Sequence, residues 1–140
     1  MGGVKRAALI TGARAPVALD LARSFAAAGF DAHLADSIPS ALANASSAPT
    51  AVHCYARPRI DRQGFRRDIA ALVARLDPLL IIPTCEEVFH LAAAAAALGF
   101  ADRLFAPPLE TLRRLHAKSG FAALCHHQLY LCRSAAGVFR

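Results

Sequence analysis

Residues 7–18 constrain the fold of this chain more than any other stretch. The apolar run Ala7–Ile10 predicts a strand, Gly12 follows it in a tight turn, and Pro16 suits the first turn of an amphipathic helix. A strand, a glycine turn and a helix in this order are typical of the first unit of a nucleotide-type α/β fold.

The glycine pattern of this turn differs from the dinucleotide-binding fingerprint G-x-G-x-x-G. That fingerprint needs its second glycine so that pyrophosphate can approach the backbone, and its third so that helix and strand can pack closely. Here Gly12 occupies the first position, but Arg14 and Val17 occupy the second and third. The turn is therefore predicted to start a helix rather than to bind NAD.

Strand and helix signals alternate along the rest of the chain. Further strands are predicted at Ala32–Ala35, Ala51–Tyr55, Leu79–Ile82 and Arg103–Ala106, with helical patterns between and after them. This order predicts an α/β fold, a Rossmann-like three-layer domain with a mainly parallel sheet of about five strands. Because Leu79–Ile82 is apolar without alternation, it is expected to be a central strand.

The length and composition fit one folded domain. The 140 residues are 56% hydrophobic and 19% charged, which is enough apolar surface for a sizeable core. The domain is expected to cover residues 1–118. Residues 119–140 are expected to form an atypical tail and no separate domain, with a short helix at Phe121–Cys125 and a strand at Gln128–Cys132.

Targeting signals are missing from the sequence pattern. The apolar stretch Val88–Ala101 is too short to span a bilayer, and Lys5 and Arg6 precede only a short apolar run, unlike a signal peptide. The four cysteines show no C-x-x-C spacing and are expected to be reduced thiols. These features predict a cytoplasmic protein with no membrane partner.

The net charge of +6 comes almost wholly from arginines. A nucleic-acid surface combines basic residues with aromatic stacking partners, and only Tyr55 and Phe65 lie near the one dense basic cluster. A solvated helix start is therefore favoured, and no nucleic-acid partner is expected. The cluster consists of Arg57, Arg59, Arg62, Arg66 and Arg67, interrupted by Asp61 and Asp68.

Three side chains are candidates for substrate binding because they follow strands at the carboxyl edge of the expected sheet: Arg14, Asp36 and Glu86. The Arg14 guanidinium could hold a carboxylate or phosphate bidentately, or could be a solvated loop arginine. Asp36 lies 24 residues after Gly12, near the distance of a ribose-binding acid. Capping of the next short helix, shared with Ser37, is an equal alternative for Asp36.

Residues 84–87 follow the strand Leu79–Ile82 and predict a helix start. In the expected capping box, Thr84 accepts from the Glu87 N–H while the Glu87 carboxylate reaches back. Glu86 is then free to face a cleft. Cys85, in the first turn of that helix, is either a reactive thiol or, as favoured, a small packed residue.

The chain also holds a group of metal-ligand residue types near its end: Cys125, His126, His127 and Cys132. Structural zinc needs two ligand pairs at loop spacing, and adjacent histidines point apart. No metal is expected, and no catalytic residue is assigned.

Phrases along the chain resemble, in the right order, the amino-terminal domain of ATP-grasp ligases, known as the pre-ATP-grasp domain. They are residues 9–23 (LITGARAPVALDLAR), 35–37 (ADS), 82–89 (IPTCEEVF), and 105–112 (FAPPLETL) followed by 115–118 (LHAK). The resemblance covers about residues 6–121. The family usually has Asp-Lys at the last phrase, where this chain has Ala117 and Lys118.

The resemblance implies a domain that forms part of the substrate cleft of a carboxylate–amine or carboxylate–thiol ligase. In that family ATP and Mg²⁺ are held by two later domains, so no cofactor is expected here. The chain is expected to have no ligase activity by itself, and its expected ligand is a small carboxylate or amino acid.

Two other classes of protein compete with this interpretation. The first is an NAD(P)- or other nucleotide-binding Rossmann protein, which Arg14 and Val17 disfavour. The second is a small interaction module that forms a homodimer, through an exposed sheet edge or through the β-prone run Leu129–Cys132.

Overall fold

A computed structural model describes residues 6–39 and 41–126 of the chain. These residues fall into two compact units, which divide between Ala106 and Pro107. The first unit contains four strands and four α-helices in alternation, followed by a 3₁₀ turn at Ala101–Arg103. These elements are β1 (Ala7–Thr11), α1 (Pro16–Ala27), β2 (Asp31–Asp36), α2 (Ala41–Asn44), β3 (Ala51–Cys54), α3 (Arg62–Leu76), β4 (Leu80–Pro83) and α4 (Val88–Leu98).

The four strands form one parallel sheet in the order β3-β2-β1-β4. β1 pairs with β2 through Ala7 opposite Asp31, and with β4 through Ala8 opposite Leu80. β2 pairs with β3 through His33 opposite Ala51. The predicted Rossmann-like α/β class, with a parallel sheet between helical layers, is therefore confirmed.

The sheet has four strands in the described residues, rather than about five. The predicted fifth strand, Arg103–Ala106, is reduced to a single parallel bridge between Leu104 and Ile81. The Ala106 N–H donates back to the Leu104 carbonyl at 2.9 Å, so the chain turns away from the sheet at once. The two prolines that follow could not have donated to a ladder in any case.

The position of β4 also differs from the prediction of a central strand. β4 lies beside β1, and its other side carries only the Leu104 bridge. Ile81 and Ile82 are nevertheless buried, because helices cover both faces of the sheet. The continuous apolar run therefore predicted correctly that the strand is buried on both faces. It did not predict how many strands lie beside it.

Two apolar clusters lie on the two faces of the sheet. The cluster on the α3 and α4 side is the larger: Leu9, Ala35, Tyr55, Phe65, Ile69, Leu72, Ile81, Leu91, Ala94, Ala95 and Phe100. The cluster on the α1 side is built mainly from small residues: Ile10, Ala13, Ala18, Ala22, Ala32, Leu34, Ala43 and Ile82. Alternating residues of β1, such as Leu9 and Ile10, contribute to opposite clusters, as a pleated strand requires.

The second unit contains α5 (Leu109–His116), and residues 118–126 are helical. The tail strand predicted at Gln128–Cys132 lies outside the described residues. The domain boundary at residue 118 remains a prediction. Within the described ranges, no helix is both long and apolar enough to cross a membrane.

The start of α3 offers a direct test of helix capping. Asp61 Oδ1 accepts a hydrogen bond from the Gly64 N–H at 2.8 Å, which satisfies one of the open donors of the first turn. We expect Asp61→Ala to lower the free energy of unfolding by about 1 kcal/mol in urea titrations. Asp20→Ala, which removes only an exposed ion pair within α1, should change it by less than about 0.5 kcal/mol. Equal effects of the two substitutions would contradict the capping role.

Candidate functional site

The polar residues of the first unit collect at the carboxyl edge of the sheet. From β1 the chain proceeds outwards through β2 to β3, and it then returns to place β4 on the other side of β1. The topological switch point therefore lies between β1 and β4, where open α/β sheets bind their ligands. Thr11, Asp36 and Pro83 end three of the strands at this edge.

Arg14 and Asp36 form a bidentate salt bridge across this edge. The Arg14 Nη2 lies 2.7 Å from Asp36 Oδ1, and its Nε lies 3.1 Å from Oδ2. The Arg14 backbone N–H also donates to Oδ2 at 2.9 Å, and the Ser37 N–H donates to Oδ1. The Asp36 side chain is 2% exposed and that of Arg14 is 48% exposed. The hydrogen bond that Arg14 donates to the Asp36 carboxylate raises the pKa of Arg14 above its usual value.

The Asp36 carboxylate is already engaged by protein donors. A ribose-binding acid needs carboxylate oxygens open to a ligand. Here both oxygens are engaged by Arg14 and Ser37, and the carboxylate fixes the β1–α1 turn instead. Ser37 donates its backbone N–H to Asp36.

The crevice between β1 and β4 is filled by side chains of the β4–α4 turn. The Thr84 hydroxyl donates to the Thr11 carbonyl at 2.7 Å, and the Thr11 hydroxyl donates to Glu87 Oε1 at 2.7 Å. Gly12 lies beneath them with φ +76°, and a Cβ on it would stand 2.5 Å from Thr84 Oγ1 and 2.9 Å from Cys85 Sγ. Side chains of the β4–α4 turn are therefore packed closely against the first glycine position of the β1–α1 turn.

The predicted capping box at Thr84 and Glu87 is wrong. Helix α4 begins only at Val88, and Glu87 precedes it without a side-chain cap. The Thr84 hydroxyl is drawn to the end of β1, and the buried Glu87 carboxylate accepts from Thr11. Contacts to a strand far away in sequence have replaced the local pattern, so Cys85 lies in the turn before the helix rather than in its first turn.

Glu86, the third predicted site residue, has a different environment. Its side chain is 77% exposed and its Oε2 lies 3.2 Å from Nη2 of Arg59, which is itself 81% exposed. An ion pair in such open solvent contributes little to stability. The structure therefore brings Arg14 and Asp36 together, and it pairs Glu86 with the basic cluster.

Tyr55 lies at the same edge of the sheet and was not singled out as a site candidate from the sequence. It follows β3 directly and is 4% exposed. Within the described residues its hydroxyl makes no hydrogen bond of good geometry, although a backbone interaction with Gly12 acts to lower its pKa. Burial, reinforced by the charges of Glu87 and Asp36, raises the pKa of the phenol, which therefore stays protonated. A buried hydroxyl without a hydrogen bond of good geometry is a donor for a bound water or ligand group. Its position after a strand, at the same edge as Asp36, was the available signal.

The described cysteines and histidines form no metal centre. Cys54, Cys85 and Cys125 are free thiols. Within residues 6–39 and 41–126, no group of three metal-ligating side chains comes together. His127 and Cys132, from the group discussed for zinc, lie outside the described residues.

Comparisons with known proteins define the fold of this chain but not its family. No protein-family model matches the sequence, and no curated protein matches it. The structure is similar to the crystal structure of an L-amino acid ligase from Bacillus licheniformis, with a TM-score of 0.58 and 14% sequence identity over 91% of this chain. The chain spans 31% of the length of that ligase. At this identity the similarity establishes a shared fold.

The crowding at Gly12 can be measured against a matched glycine. Gly12 and Gly29 both have positive φ, +76° and +86°, but a Cβ on Gly29 would meet nothing within 4 Å. Gly29→Ala should cost only the backbone strain, about 1 kcal/mol of unfolding free energy. Gly12→Ala should cost a further 1–3 kcal/mol, roughly the penalty of overpacking, because Thr84 and Cys85 must move. If urea denaturation shows equal losses, the crevice is open rather than filled.

Proposed function

We propose that this chain is a substrate-side domain of the kind found in ATP-grasp ligases, binding a small carboxylate or amino acid at the carboxyl edge of its sheet. Two independent lines support the proposal. The phrases at residues 9–23, 35–37, 82–89 and 105–118 resemble that family's amino-terminal domain. The fold is similar to that of an L-amino acid ligase, and ligation of amino acids is a reaction of the class that the resemblance implies.

The half-exposed Arg14 guanidinium is the observation that carries the binding proposal. Its bonds to Asp36 and Ser37 use Nε and Nη2, and within the described residues no hydrogen bond engages the Nη1 donors, which can serve a second acceptor. Asp36 holds the group in one orientation, and a preorganised guanidinium loses less entropy when it binds a planar carboxylate. The Arg14 guanidinium would then lie between two carboxylates, that of the ligand and the buried one of Asp36.

The alternative of a nucleotide-binding oxidoreductase is disfavoured by two structural features. The switch-point crevice above Gly12 is filled by Thr84 and Cys85, and the acid that would bind a ribose is engaged by Arg14. The sequence also carries no G-x-x-x-x-G-K-[ST] phosphate loop. We therefore propose that the 140 residues need no cofactor of their own and do not catalyse ligation by themselves.

Calorimetric titration with the proteinogenic L-amino acids and with acetate and succinate tests the binding proposal. We expect saturable binding of at least one ligand. Arg14→Lys should weaken it by about tenfold or more, because an ammonium cannot keep the fork that contacts Asp36 and the ligand together. Arg23→Lys, at an exposed position of α1, is the matched control and should leave the affinity unchanged. Failure of every ligand to bind would overturn the proposed site.

Nucleotides provide the complementary measurement. Neither MgATP nor NAD(H) nor NADP(H) should raise the melting temperature of the chain, since a ligand that binds the native state must stabilise it by mass action. Saturable protection by a dinucleotide would revive the oxidoreductase alternative. Protection by MgATP alone would instead indicate a nucleotide site within these residues.

Self-association is a separate proposal about partners. The run Leu129–Cys132 is β-prone and is a template for pairing with a second copy of the chain. We expect light scattering to show a homodimer, and Leu131→Lys to shift it to monomer by placing a charge on the pairing segment. A monomer for the unsubstituted chain at all concentrations would exclude this assembly.

A further inference from the structure

Two histidines on neighbouring strands contact each other on the α3 face of the sheet. His33 of β2 and His53 of β3 have ring centroids 5.3 Å apart and ring planes 28° apart, and His33 Nδ1 lies 3.1 Å from His53 Nε2. Arg75, in the last turn of α3, places Nη2 3.2 Å from His53 Nδ1. Both rings are partly buried. The other charged group that acts on this pair is Asp31, at the start of β2.

The arginine determines which ring nitrogens carry protons. An arginine only donates, so His53 Nδ1 must accept from Arg75 and carry no proton. A neutral His53 then holds its proton on Nε2 and donates it to His33 Nδ1. His33 consequently holds its own proton on Nε2. Arg75 thus donates to His53, and His53 donates to His33. Both hydrogen bonds can exist only while both imidazoles are neutral.

We propose that His33, His53 and Arg75 form a proton-sensitive contact that holds strand β3 on the sheet. β3 lies at one edge of the described sheet, with β2 as its strand neighbour, and its residues are only partly buried. A proton added to His53 Nδ1 faces the Arg75 donor, and a proton added to His33 Nδ1 faces the His53 donor. In either case the contact becomes repulsive, and β3 is released.

The surroundings of His33 and His53 favour the neutral form of both rings, which is the form that this contact requires. Burial lowers the pKa of both histidines, and Arg75 lowers both further. His33 adds to the effect on His53, while Asp31 opposes it at His33. The unfolded chain therefore takes up protons below about pH 6.5 before the folded chain does. Stability is complete above that pH and is lost as the pH falls through the folded-state pKa values.

Nitrogen-15 NMR on the full chain tests the contact without any substitution. Near neutral pH, both His33 and His53 should be neutral Nε2–H tautomers, and both should titrate below the ordinary histidine range. As the pH is lowered from about 7.5 to about 5.5, hydrogen exchange at the 51–54 amides, corrected for its intrinsic pH dependence, should accelerate more than exchange at the 7–11 amides. An Nδ1–H tautomer on His53, or equal acceleration on both strands, would overturn the proposal.

A matched set of variants separates the effect of His33 and His53 from that of His90, whose pKa is also lowered. Burial and the charges of Arg62 and Arg59 also lower the pKa of His90, so every variant should carry His90→Gln. Over the same pH window, the background variant should lose melting temperature, and adding His33→Gln and His53→Gln should remove more than about half of that loss. Adding Phe89→Leu instead, on α4, should leave the loss unchanged. An unchanged loss in the double histidine variant would overturn the proposal.

Discussion

The buried carboxylate of Asp36 is the charge around which the carboxyl edge of this domain is organised. A carboxylate removed from water costs several kcal/mol, by order of magnitude, unless donors replace the lost hydration. The β1–α1 turn supplies those donors through the Arg14 backbone and side chain, and Ser37 adds another. The conformation of the turn and the orientation of the guanidinium therefore have the same cause. Any ligand that binds Arg14 binds a group already fixed by the fold.

The hydroxyl–carboxylate bonds on the other side of Gly12 close the position that the fold usually leaves open. Thr84 and Thr11 connect β4 to β1 through one carbonyl and one buried carboxylate, and Gly12 has no side chain that would keep them apart. These hydrogen bonds connect β4 to β1 at the topological switch point of the sheet. The Arg14 side chain, in contrast, is about half exposed.

The parts of the fold that the sequence predicted are those specified by local chemistry. Pro16, for example, begins α1, as its fixed φ predicted. The failures have a common physical origin in contacts distant along the chain. The Thr84 hydroxyl donates to the Thr11 carbonyl, 73 residues away, instead of capping the helix. A local sequence pattern contains no information about such a distant hydrogen-bond partner. The predicted fifth strand did not form beyond Leu104, because the chain turns there and the Ala106 N–H donates to the Leu104 carbonyl.

The positions of Arg14 and Asp36 could be predicted from the sequence, but the contact between them could not. Arg14 and Asp36 were each placed correctly at the carboxyl edge because parallel strands end there together. Their mutual salt bridge depends on the side-by-side pairing of β1 and β2, which fixes the register Thr11–Ala35. Tyr55 was overlooked because a single tyrosine after a weakly predicted strand is equally typical of an ordinary core residue. Only the absence of a hydrogen bond of good geometry at its hydroxyl, within the described residues, distinguishes it.

Strand β3 links the edge of the sheet to the candidate site. His53 contacts Arg75 of α3, and Tyr55, two residues further on, packs against Phe65 of the same helix. The Tyr55 N–H donates to the Asp36 carbonyl, so the position of β3 also determines where the phenol meets the Asp36 and Glu87 charges. A ligand group that accepts from Tyr55 would hold β3 on the sheet and so favour the neutral histidines. By linkage, the neutral histidines would favour that ligand to the same extent, because coupling between two binding equilibria is reciprocal.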